Sequence, residues 1–284
     1  MPQPVTAPSR APQLPAVTPS AATPAARAGE PPAPRRRSTL PAWLELKAPP
    51  AITLRAAAEK AEHLAQALAA KGDHRAIFPA VYAMQMRDMI QELRVPGRYH
   101  DPDWMEALSL DFAQRYFDTF EAYERGDRQA VPHSWLVALD HGRARSAPIV
   151  NNLLLSMNAH INHDLPLSVA AAGMDPIHHV DFKRFNEALK LNVERVQALL
   201  SSQYLNPKFN LADRVDRLFG PLDEWVAGGM IENWRARAWL NAAGLSNRGR
   251  EAYGVVTQRA DWNADVIHRL GRLVPASWAR RGLI

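Results

Sequence analysis

Residues 157–165 read MNAHINHDL and bring His160, His163 and Asp164 together within five positions. Imidazole titrates near neutrality and a carboxylate can orient and charge it, so His160 and Asp164 form a candidate general-base or general-acid couple. The same two side chains, one helical turn apart, can offer a nitrogen and an oxygen to a divalent ion. A third use is structural: a buried pair, or a network to backbone and water, that holds helices in register. All three require both groups to face the interior.

A helical wheel supports that requirement. The stretch from about 148 to 165, with Ser146 as cap and Pro148 in the first turn, has its apolar arc at Val150, Leu153, Leu154, Met157, Ile161 and Leu165. Asp164 falls inside this arc, between the directions of Leu153 and Met157. His160 lies one step outside, on the same face as Asp164. His163 is directed further round, with Asn152, Ser156 and Ala159. Pro166 is expected to end the helix.

Other polar groups interrupt apolar faces nearby. The helix over 102–125 has a stripe of Met105, Leu108, Phe112, Tyr116, Phe120 and Tyr123, edged by Asp111 and Arg115. These two form either an intrahelical ion pair or an extension of the site, with Asp111 orienting an imidazole and Arg115 or Tyr116 meeting a polar or anionic substrate. After Asp175-Pro176, His178 shares a face with Phe182, Phe185 and Leu189, flanked by Asp181 and Asn186. The candidate sets are therefore His160, Asp164 and Asp111 for catalysis, and Arg115, Tyr116, Asn162 and Asn186 for substrate. For a metal they are His160, Asp164, Asp181 and His178. Such nitrogen and oxygen donors suit Zn, Fe or Mn, and a metal-bound water or imidazole base suits hydrolysis or elimination. His178 and His179 have the alternative of a solvated first turn. His133 and His141 read as surface or structural.

The elements that carry these residues are helical throughout. Apolar positions recur at three- and four-residue spacing from about residue 52 onward. Helices are expected over 54–72, 78–93, 102–125, 134–145, 148–165, 176–202, 210–227, 229–243 and 247–271. The fold class is all-α, a single bundle-like domain of about eight or nine helices over 43–284. There is no phosphate loop, nucleotide fingerprint or internal repeat. Trp225, Trp234, Trp239, Trp262 and Trp278 read as packing anchors.

Composition narrows the function further. The 284-residue chain has no cysteine, which removes disulfides and thiolate sites and fits a cytoplasmic location. No window reaches about 18 apolar residues, so no membrane span is expected. Residues 1–42 hold five arginines against one glutamate, +4 of the overall +5, and 11 of the 23 prolines. That segment is expected to be a disordered tail. Basicity confined to a tail makes a poor case for a nucleic-acid partner, whereas a small-molecule ligand suits the polar site.

The stretches DFAQRY at 111–116, MNAHINHDL at 157–165, DFKRFN at 181–186 and RARAW at 235–239 resemble a bacterial family of unknown function, DUF5995. The resemblance covers roughly 75–245. The family pattern N-A-H-I-N-x-D-L maps onto Asn158, His160, Asn162 and Asp164, and leaves His163 outside. It implies candidate positions but no chemistry. The expectation is an enzyme of unassigned reaction centred on His160 and Asp164. The competing class is a non-catalytic helical binding or scaffold protein.

Overall fold

Thr53 opens the first helix, α1 (Leu54–Ala69), its hydroxyl accepting the Ala56 N–H at 3.2 Å. The computed structural model describes residues 53–146, 149–190, 195–196, 198–199 and 229–271. The expected tail over 1–42 and the expected helix at 210–227 lie outside them, as do Pro148, Trp225, Trp278 and most of the stretch from 191 to 202. Among the described residues every regular element is a helix or helical turn.

Alanines 57, 58, 61 and 65 line the buried side of α1 and let α2 (Ile77–Leu93) approach closely. Asp101 caps α3 (Pro102–Glu124) by accepting the Trp104 N–H at 2.9 Å, with Pro102 in the first turn where its missing N–H costs nothing. Then come α4 (His133–Ala144), α5 (Ile149–Asn158), a π-helical turn (Ala159–Asp164), α6 (Leu165–Ala172) and α7 (Pro176–Lys190). Finally, α8 (Met230–Arg248) joins α9 (Arg250–Gly271) through Gly249, which holds a φ of 55°.

Apolar side chains bury in two adjoining clusters. One gathers α1, α2, α4 and α5 around Trp135, Ile77 and Leu155; the other gathers α6 and α8 around Leu165, Phe182 and Met105. Phe112, Met157 and Trp234 pack against both. The π turn touches α3, α4, α8 and α9, so it lies at the meeting of these elements.

Two expectations need correction. The helix from 148 does not stop at Pro166: the chain widens into the π turn and continues as α6, with Pro166 in its first turn. Trp262, expected as a packing anchor, is 65 % exposed. No helix among the described residues is long and apolar enough to cross a membrane.

Candidate functional site

The site is built by the π turn. The Leu165 N–H reaches back five residues to the His160 carbonyl, and the next residue, Pro166, has no N–H to give. A regular helix would need that N–H to bond Asn162, so a widened turn resolves the conflict. It also redirects the side chains that follow. All six residues from Ala159 to Asp164 are buried.

Asp164 is the hub, only 2 % exposed. Its Oδ2 accepts from His160 Nδ1 at 3.0 Å and from Trp135 Nε1 at 2.9 Å. Its Oδ1 accepts from His163 Nδ1 at 2.8 Å. Burial alone would push this carboxyl up, but the hydrogen bonds from His160 and His163 overcome it and hold the pKa down at about 2. An ionised carboxylate only accepts, so both Nδ1 atoms carry protons. Burial drives the His160 pKa down, and Asp164 only partly offsets this. His160 is therefore neutral at pH 7, with a bare lone pair on Nε2. The Nε2 atoms of His160 and His163 are both buried without a hydrogen-bond partner.

Aromatic rings lock the His160 imidazole. Phe112 stacks on it at 3.5 Å between centroids, while Tyr82 and Phe78 present edges at 4.7 and 5.2 Å. Trp135 and Tyr116 complete the enclosure at 6.0 and 6.2 Å. Tyr116, expected at the substrate, is thus a wall of the histidine cage.

The remaining expected residues divide. Asp111 and Arg115 are buried together, Nε to Oδ2 at 2.7 Å, and Arg115 Nε also reaches Ser168 Oγ at 3.0 Å, which ties α3 to α6. Asp111 is not among the groups bonded to Asp164, although both carboxylates, after burial itself, push the Tyr82 phenol well above its ordinary pKa. Asn162 donates to Asn158, which donates to the Ala260 carbonyl and fastens the π turn to α9.

Asp181 and His178 lie elsewhere, at the start of α3. Asp181 accepts the His100 and Asp101 amides at 3.0 and 2.8 Å, and its pKa is lowered because these bonds outweigh burial. His178 stacks on Trp104 at 4.4 Å and its Nε2 bonds Asp101 at 3.0 Å. The four expected metal ligands therefore fall into two separate groups. Among the described residues no three His, Asp or Glu side chains are placed to hold an ion.

The sequence reading missed Trp135, His163 as a partner of Asp164, and Arg235. Arg235 Nε donates to Asn186 Oδ1, and its guanidinium lies 4.6 Å over the Phe182 ring. It lines a small cleft whose walls include Tyr82, Phe112, Met86 and Met105. The signal was available: Arg235 opens RARAW and follows Trp234 on a face with Ala238 and Ala242, a cation where an apolar residue belongs.

The fold and site define an all-helical protein with a caged histidine–carboxylate centre. Residues 54–273 match a family of unknown function, DUF5995, and the chain belongs to that family. The match is longer than the 75–245 expected from the motifs. No curated protein and no solved structure matches the chain.

Proposed function

We propose that the protein is an acid–base enzyme acting on a small molecule, with His160 as the proton-accepting group. The observation that carries this is the unpartnered Nε2 of a buried, neutral imidazole whose Nδ1 is pinned by an ionised carboxylate. A buried acceptor without a partner costs about 1–3 kcal/mol, which a purely structural pair would have no reason to retain. In the reaction, Nε2 takes a proton from the substrate, and the resulting imidazolium is stabilised against Asp164 before returning the proton to product. A metal version would need the two Nε2 atoms as ligands with Asp164 behind them. Both Nδ1 protons are compatible with that, but no third His, Asp or Glu among the described residues joins them, so the metal-free version is preferred.

The aromatic cage favours a second reading, a scaffold in which the pair only fixes helix register. Access to Nε2 separates the two, because a working base must be reached when Tyr82 or Phe112 swings aside. Carbethoxylation by diethyl pyrocarbonate, mapped by peptide mass spectrometry on folded protein, reads this without a substrate. His100 and His133, with side chains 43 % and 52 % exposed, serve as reactive controls. Modification of His160 alongside them is the expected result. Labelled controls with an inert His160 would leave the scaffold reading.

A further inference from the structure

We infer that Arg235 and the cleft beside it form a binding site for a small organic monocarboxylate with an apolar body. The other buried arginines have carboxylate partners: Arg75 pairs with Asp73 and Glu124, and Arg115 with Asp111. Arg235 differs. It is 5 % exposed, yet among the described residues its neighbours are the Asn186 amide oxygen and the faces of Phe182 and Phe185, with no acidic side chain paired to it. Burial pushes its pKa down to about 10, so it remains a cation at neutral pH.

A buried charge with no opposite charge is costly, and an anion supplied by a ligand would relieve that cost. A guanidinium whose Nε is already held by Asn186 keeps its terminal N–H groups for a forked carboxylate contact. Most of the remaining lining is apolar: Met86, Met89, Met105, Leu108 and Leu165 outnumber the polar Gln85, Ser109 and Tyr82, and the methionines adapt to an irregular hydrocarbon shape. Its one serine, Ser109, already donates to the Met105 carbonyl at 2.7 Å. One cation in the wall of a mainly apolar cleft selects a single anionic group on an apolar body, not a polyanion or a sugar.

This site stands on Arg235 and the cleft, not on proton transfer by His160. The test titrates the full chain with sodium hexanoate, hexan-1-ol and inorganic phosphate by isothermal calorimetry. Saturable hexanoate binding is expected, with hexan-1-ol and phosphate at least tenfold weaker. R235M, which removes an uncompensated buried charge and should fold, is expected to weaken hexanoate at least tenfold. Hexanoate titration reads the anion site and diethyl pyrocarbonate labelling reads His160, so failure of the base and failure of the anion site are read separately. The carboxyl resonance of ¹³C-labelled hexanoate, followed on the unmodified chain, should shift on binding and needs no variant. Absence of saturable binding, an unmoved carboxyl resonance, equal affinity for hexan-1-ol, or full affinity in folded R235M would each overturn the proposal.

Discussion

His163 Nδ1 lies 2.8 Å from Oδ1 of Asp164, the very next residue, while the other oxygen of the same carboxylate takes His160 and Trp135. Three buried donors thus depend on one acidic side chain. Asp164→Ala strands all of them, and each unsatisfied buried group costs about 1–3 kcal/mol, so a loss of at least about 3 kcal/mol is expected. Urea unfolding measures it, and altered Trp135 emission should accompany it. A loss under about 1 kcal/mol would mean that the hub does not hold the π turn.

Acid should weaken the fold in two stages. The folded His160 pKa is depressed below its ordinary 6.5, so the unfolded chain binds a proton that the folded chain refuses. That contribution is fully present above pH 6.5 and is lost as pH falls from there toward the folded pKa, at up to about 1.4 kcal/mol per pH unit. Asp164 acts lower: its contribution is present above 3.8 and disappears as pH falls toward about 2. Unfolding free energies measured between pH 8 and 5 should slope upward with pH. H160Q should reduce the slope, with His179, also lowered by burial, contributing to what remains.

Asp111 and Arg115 should behave as a coupled pair. Arg115→Met leaves a carboxylate that is 0 % exposed without its closest cation, and a cost of about 3–5 kcal/mol is expected. Adding Asp111→Asn should recover part of it. A double-mutant cycle should return a coupling of roughly 0.5–3 kcal/mol, and strict additivity would show that the two are independent.

Asp181 should prove structural. Asp181→Ala removes the acceptor for two backbone amides ahead of α3, with an expected cost of about 1–3 kcal/mol in chemical unfolding. Hexanoate titration of the folded variant should stay within a few-fold of the parent chain, because the hydrogen bonds of Asp181 run to the His100 and Asp101 amides and not to Arg235.

Much of the fold was legible in the sequence because its cues are local. A 3.6-residue apolar period and the Asp101-Pro102 start of α3 act within one or two turns of chain, and the described helices formed where those cues lie. The His160–Asp164 contact was legible for the same reason: residues four apart on one helix are neighbours before anything packs. Helix docking and one widened turn decided the rest. A regular wheel turns His163 away from Asp164, and the π turn brings it back. Trp135 arrives on α4 and Arg235 on α8, while Asp181 and His178 are carried off to the start of α3. Spacing along a chain sets direction only within a helix; which distant side chains share a hollow depends on how whole helices pack, and that belongs to the tertiary structure.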